Sequence, residues 1–435
     1  MSCFKTVFYL ALLLFILFSS SCKKREADEH GPIVSFVTPS YNQSYNVFDN
    51  IAVTATVSDE TEITFVSVSL VDEQYNQVVP AVSIPVTSPS MTLNKLYYVD
   101  NIHMESGTYY VMIAASDGTT ESRTYQRVQI VAVPRMLKNI FVVSGGSSQT
   151  NFSTIDSAFT GLQPYYSFNG DFIGSYASSY FQQLYRCGNY TGPFQALDIE
   201  FNAIKFSLSP TVSANPYFTA FYSNEKKSYV SRYDGGITGY NYDGSIFYNA
   251  SVSTGYYATK MGFCGDALIT EEKDKVSGNT KLVTHFTTGL AEKERAISQQ
   301  AVALCEKNVD NLFVFGNDAG QGVIQLFDKV NNNLWNPYPY TLPTGTILSA
   351  LKIDENTYLI GHSSGTVLKY QYSTSSVTTY LTGYTAVQLR YDDLNNRLIV
   401  AEANKISVFD YSTAGLLHSV NSSETVLDVH LLYNR

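Results

Sequence analysis

The last third of the chain, residues 302 to 435, states one pattern three times. The apolar runs Leu312-Phe313-Val314, Tyr358-Leu359-Ile360 and Leu398-Ile399-Val400 are each followed by a polar turn and a second strand-like run, at Val323 to Asp328, Val367 to Gln371 and Ile406 to Asp410. Equivalent positions are separated by 46 and 40 residues (312 to 358, then 358 to 398). That step is the length of one blade of a β-propeller, a unit that cannot bury its apolar faces alone and so must stack on copies of itself.

The same grammar extends back to Asn139. Candidate blades open near Phe141, Phe172, Tyr217, Met261, Leu304, Leu351 and Leu389, and Asn169-Gly170, Asp234-Gly235 and Asp243-Gly244 are dipeptides suited to tight hairpin turns. Roughly 300 residues at about 43 per blade give seven blades, with six or eight compatible with the same division. The final run, Val426 to Leu432, has the look of an inner strand left without partners, and Ile140 to Val143 would supply them. A ring closed in that way has no free sheet edge.

A chain of 435 residues exceeds one ordinary core, so a second domain is expected before the ring. Residues 32 to 134 fit a β-sandwich. Ile51, Val53, Ala55 and Val57 alternate with polar or small residues, Asp59 and Glu60 are expected to turn the chain, and Phe65 to Leu70 alternates again. Tyr109, Val111, Ile113 and Ala115 then share one strand face, and Asp117-Gly118 supplies a turn. Val133-Pro134-Arg135 is the expected junction, because proline interrupts a strand. With 14% aromatic residues, 34 of them Tyr, and only 15% charged residues, almost no helix is expected.

The chain opens with Lys5, an apolar run from Val7 to Phe18, and Ser19-Ser20-Ser21-Cys22, which reads as an export signal over residues 1 to 21. Twelve apolar residues make a helix of about 18 Å, short of a hydrocarbon core of about 30 Å, so cleavage is favoured over a permanent span. A cysteine directly after three small residues resembles the lipobox of bacterial lipoproteins, with Ser19 where that family usually has Leu. The resemblance implies acylation of Cys22, a lipid anchor in the membrane, and a tether over residues 22 to 31. Glu26, Asp28 and Glu29 loosely resemble acidic surface-export signals of Bacteroidota lipoproteins, although Lys23, Lys24 and Arg25 precede them. Asp156-Ser157-Ala158 resembles the short glycosylation motif of the same group.

The run from Gly107 to Gly118 resembles the penultimate strand of bacterial Ig-like and PKD-like domains. The C-terminal region resembles WD40-type and quinoprotein-type propellers in layout, without a Gly-His to Trp-Asp signature. The fold expected is therefore all-β, an N-terminal Ig-like sandwich over 32–134 followed by a seven-bladed propeller over 135–435.

Chemistry is sparse. The six histidines, at 30, 103, 285, 362, 418 and 430, form no HExxH or H-x-H pair, and no nucleophile elbow, phosphate loop or EF-hand pattern occurs. The only tryptophan, Trp335, lies outside any box of the kind carried by sialidase-like propellers. No catalytic, cofactor-binding or metal site is expected. His362, beside a strand end, could face the channel or serve as a turn histidine, and the pairs Asp354-Glu355 and Asp392-Asp393 are expected at solvated hairpin tips. Cys187, Cys264 and Cys305 show no metal spacing and leave two readings, one disulfide or three free thiols. A net charge of -10 repels phosphate backbones and argues against nucleic acid.

The candidate ligand-binding residues are Trp335, Tyr338 and Tyr340, on a loop that Pro337 and Pro339 stiffen, because rigid aromatic faces stack on sugars or fill peptide pockets at low entropic cost. A second tyrosine-rich stretch covers Tyr240, Tyr242, Tyr248, Tyr256 and Tyr257. The combination of anchor, spacer and propeller resembles PKD-like lipoproteins that accompany SusC/SusD-type uptake systems, which implies a surface-exposed outer-membrane binding module that captures a glycan or peptide or docks to the uptake complex, an envelope protein partner. The alternatives are a periplasmic-side scaffold for outer-membrane protein assembly and a propeller glycan-active enzyme.

Overall fold

The computed structural model describes residues 30–156 and 159–435, and every described element is a strand. Cys22, the leader, nearly all of the tether, Ser157 and Ala158 lie outside the described residues. The chain divides into two units, one up to Pro134 and one from Arg135.

In the N-terminal unit six strands form one sheet, in the order Ile33–Thr38, Asn50–Val71, Gly107–Ser116, Glu121–Val131 and Gln43–Asn46, with Gln77–Tyr98 also paired to Asn50–Val71. Asp59 and Glu60 do not end a strand, contrary to expectation. Asn50–Val71 runs through them for 22 residues, and its register with Gln77–Tyr98 shifts between Ser58 and Ile63. The Asp59 carboxylate satisfies the Thr61 amide at 2.7 Å, so the irregular step keeps its backbone partnered. The strand pairs with Ile33–Thr38 in its first part and Gly107–Ser116 in its second. Ile51, Val53, Ala55 and Val57 from the first part meet Val66, Val68, Val111 and Ile113 in one core. Tyr97 closes that core with its ring buried and its hydroxyl donating to the Pro80 carbonyl at 2.9 Å.

The C-terminal unit holds seven four-stranded antiparallel sheets among its described residues. We number them I to VII by their first strands: Gly174–Ser178, Phe218–Ser223, Tyr256–Cys264, Gln300–Asn308, Ile347–Lys352, Gln388–Asp392 and Val426–Tyr433. The first strand of each sheet lies beside that of the next, and Val426–Tyr433 adjoins both Gln388–Asp392 and Gly174–Ser178, which closes a circle around a central axis. Sheet VII takes its other three strands, Leu137–Gly145, Gln149–Ile155 and Leu162–Asn169, from the start of the unit. Leu431 pairs with Ile140, His430 with Phe141 and Val429 with Val142, so the two ends of the unit share one sheet. This all-β circle of four-stranded sheets is consistent with a β-propeller.

The repeated apolar runs occupy the second strands Asn311–Asp318, Thr357–His362 and Arg397–Glu402. Buried on both faces between neighbouring sheets, such strands require near-continuous apolar sequence. Phe313, Phe315, Tyr358 and Tyr370 interlock between sheets IV and V, with ring centroids 4.6 Å apart for Phe313 and Tyr358. Asp234-Gly235 and Asp243-Gly244 form hairpin turns, with Gly φ of 104° and 84°. Asn169-Gly170 instead begins the crossover from sheet VII to sheet I, where a side chain on Gly170 would meet the Gly192 backbone at 2.5 Å.

Candidate functional site

Three first strands converge polar side chains on the axis. Val426, Val429 and Leu432 are buried apolar residues of the last strand, and Asp428 and His430 alternate with them. Asp428 Oδ1 accepts from Arg390 Nη2 of sheet VI at 2.7 Å and from its neighbour's amide, Val429 N, at 2.8 Å. Its other oxygen, Oδ2, lies 3.3 Å from His430 Nε2 and 3.3 Å from Ser175 Oγ of sheet I. Ser175 Oγ in turn sits 2.7 Å from His430 Nε2. Burial alone would raise the Asp428 carboxyl, but the charges of His430 and Arg390, with the hydrogen bonds from His430 and Val429, hold it down at about 2.

Lys260, on the first strand of sheet III, completes the set. Its side chain reaches solvent yet is surrounded by protein. That enclosure lowers its pKa, against the opposing pull of Glu271 and of Asp428. Glu271 is fully buried, and burial raises its carboxyl even though Ala301 N donates to it at 2.6 Å and Thr259 also bonds it.

Serine, histidine and aspartate together invite a hydrolytic reading, which the geometry does not support. A relay needs the nucleophile on one imidazole nitrogen and the carboxylate on the other. Here Ser175 Oγ and Asp428 Oδ2 both face Nε2, and Asp428 is already committed to Arg390. The arrangement is an ionic staple across sheets VI, VII and I, holding the two ends of the ring together. Sequence reasoning missed it because its members lie up to 255 residues apart. The available signal was Asp428 and His430 sharing one face of an otherwise apolar strand.

The aromatic loop spans two packing environments. Leu334 packs against the core between sheets III and IV, and Tyr338 against the core between sheets IV and V. Tyr338 is half-buried, its ring 6.2 Å from that of Tyr370 and 5.6 Å from that of Tyr340. Tyr340 is 72% exposed and Trp335, at the end of the outer strand of sheet IV, is 37% exposed. Tyr338 thus anchors the loop, while Tyr340 and Trp335 present faces to solvent.

Other sequence candidates fall elsewhere. His362 is buried at the hairpin between the second and third strands of sheet V, where its Nδ1 accepts from the Ser364 amide at 3.2 Å. Burial lowers its pKa, and it is a turn histidine away from the axial group. Asp354 is a hairpin tip that caps Asn356 N and Thr357 N. Asp392 is not solvated, contrary to expectation. It is fully buried, accepting from Tyr433 Oη at 3.1 Å and Asn395 Nδ2 at 2.7 Å, while Asp393 is exposed and pairs with Arg135. Tyr240 and Tyr248 are core residues, and only Tyr242 of that stretch is exposed, stacked on Phe181 at 4.4 Å. Cys187, Cys264 and Cys305 are free thiols. Among the described residues no three His, Cys, Asp or Glu side chains are grouped to hold a metal.

Fold and site together define an all-β protein carrying a circular array of four-stranded sheets with a polar axis. No family model and no curated protein matches the chain. Among solved structures it is similar to a functionally unknown protein from Desulfotomaculum acetoxidans (TM-score 0.50, 8% identity, 68% of this chain and 99% of that one). It is also similar to a quinoprotein alcohol dehydrogenase-like protein from Bacteroides thetaiotaomicron (TM-score 0.47, 13% identity, 93% and 100%) and to the computationally designed Ika8 protein (TM-score 0.44, 13% identity, 68% and 91%). At these identities the likeness is one of fold alone.

Proposed function

We propose that the chain is a cell-envelope lipoprotein that binds rather than transforms its ligand. In this reading Cys22 carries the acyl chains, residues 22 to 31 form the tether, and residues 32 to 134 form an Ig-like spacer. Residues 135 to 435 then form a seven-bladed propeller that presents loops at the outer-membrane surface. It captures a glycan or peptide or docks to a SusC/SusD-type uptake system.

The observation that carries the binding reading is the aromatic loop. Tyr338 is pinned to the core and leaves Trp335 and Tyr340 exposed on a short, proline-stiffened segment, so stacking on them costs little ordering entropy. The test is a glycan and peptide array probed with residues 32 to 435. Saturable binding that falls when Trp335 is replaced by Ala supports capture, and a blank array redirects the account to scaffolding.

A further inference from the structure

A second cleft, distant in sequence from the aromatic loop, has a lining that specifies a ligand class. It opens between the outer strand Leu162–Asn169 of sheet VII and the strands Phe194–Asp198 and Ala203–Leu208 of sheet I, with a volume of about 650 Å³. That lies within the range of roughly 300–1,000 Å³ typical of small-molecule sites. In a protein with 38 acidic and 28 basic residues, none of the residues lining this cleft is charged. Its polar groups are hydroxyls and amides, among them Ser167, Asn169, Thr191, Gln195 and Ser207.

One wall is an aromatic face. Tyr166 is half-buried and backed by Phe168 at 4.7 Å, which is itself backed by Phe152 at 5.3 Å, so the exposed side of the Tyr166 ring is held in place. The floor is equally fixed. Asp171 accepts hydrogen bonds from the backbone amides of Asn189, Tyr190, Thr191 and Gly192 at 2.7 to 3.1 Å, which freezes the loop that carries Thr191. Under that loop the fully buried Arg186 donates to the Asp171 carbonyl at 2.5 Å and the Pro193 carbonyl at 3.2 Å. Asp171 is taken up by the four amides and Arg186 is fully buried with its terminal nitrogens on the loop carbonyls, so neither charged side chain lines the cleft.

A neutral set of paired donors and acceptors beside a rigid ring complements a neutral carbohydrate. The hydroxyls of such a ligand both give and accept hydrogen bonds, and its C–H face packs on an aromatic ring. An ionic ligand would lose hydration here without gaining a counter-charge. We propose that this cleft is a binding site for an uncharged oligosaccharide, separate from the Trp335 loop. The proposal rests on the binding-module reading and adds to it a location and a charge class.

The experiment is isothermal titration of residues 32 to 435 with cellohexaose, maltohexaose, xylohexaose and mannohexaose, and with an oligogalacturonate as the charged counterpart. Two variants address the cleft, Tyr166→Ala to remove the stacking face and Ser207→Trp to fill the space from an exposed position, and Trp335→Ala addresses the loop. Expected are binding of at least one neutral probe, at least tenfold weaker binding of the uronate, and at least a tenfold loss in Ser207→Trp with the Trp335→Ala protein unaffected. If a neutral probe binds and only Trp335→Ala weakens it, the cleft proposal is overturned while the binding-module reading stands. Preferential binding of the uronate overturns the charge class. If no probe binds, the proposal is overturned, and the peptide half of the array alone decides the broader reading.

Discussion

Replacing Asp428 by Asn isolates the ionic staple at the axis. The wild-type carboxyl is displaced from 3.8 to about 2, and at about 1.4 kcal/mol per unit that displacement corresponds to about 2 kcal/mol of native-state stabilisation. Because the folded pKa is the lower one, this contribution is present in full above the unfolded value near 4 and disappears as pH falls toward 2. The asparagine variant keeps the shape but withdraws the charge from Arg390 and His430. The Arg390 side chain is 30% exposed and can hydrate, so the loss stays near 2 kcal/mol instead of reaching the 3–5 kcal/mol of a stranded, fully buried charge. Urea unfolding followed by far-UV circular dichroism should show the variant midpoint lowered by roughly 1 M at pH 7. The gap should narrow steadily between pH 4 and pH 2.5. A variant as stable as wild type at pH 7, or a gap that keeps its full size at pH 2.5, would refute the assignment of Asp428 as the centre of the staple.

Three further outcomes are expected. Arg186→Met takes the side-chain donor from the Asp171 carbonyl and leaves the Pro193 carbonyl with the Gly188 amide alone, and should cost about 2 kcal/mol, read as a lowered thermal midpoint, whereas an unchanged midpoint would show that the loop holds itself. Trp335→Ala combined with Tyr340→Ala should reduce ligand capture on the array while leaving the thermal midpoint within about 1 °C, because both rings are solvent-exposed surface residues; a large fall in stability would mean that the rings are packing elements. Cys22→Ala should shift the protein from the membrane fraction to the soluble fraction and remove the acyl mass from its N-terminal peptide, and retention in the membrane would argue for another anchor.

The parts of the fold legible in the sequence are those where one physical demand acts on consecutive residues. The second strands, such as Thr357–His362, are buried on both faces, so their apolar runs are unbroken and recur at nearly constant spacing. The partnership of Val426 to Leu432 with Ile140 to Val143 was legible for a related reason, since an apolar strand at a chain end must find an edge. Where the demand is spread over distant strands, the pattern vanishes. Ser175, Arg390 and the pair Asp428 and His430 lie on three different strands, and only ring closure brings them within 2.7 to 3.3 Å. Asp392 looked like a hairpin tip because it adjoins Asp393, yet Tyr433 from the far end of the unit covers it. Asp59 and Glu60 looked like a strand end because acids favour turns, and the register shift that absorbs them leaves no sequence mark. Within the aromatic loop, composition identified the three rings but not their division of labour. That division follows from Tyr338 reaching the core beside Tyr370.

Hydrogen exchange on the intact chain tests the closed ring most directly. If the last strand is a full member of sheet VII, its amides bonded to Leu137–Gly145 exchange as slowly as the paired amides of Ile347–Lys352, which is likewise the first strand of its sheet. Rapid exchange at those paired amides of Val426–Tyr433, with Ile347–Lys352 still protected, would mean that the last strand is not knitted into sheet VII and would contradict the account.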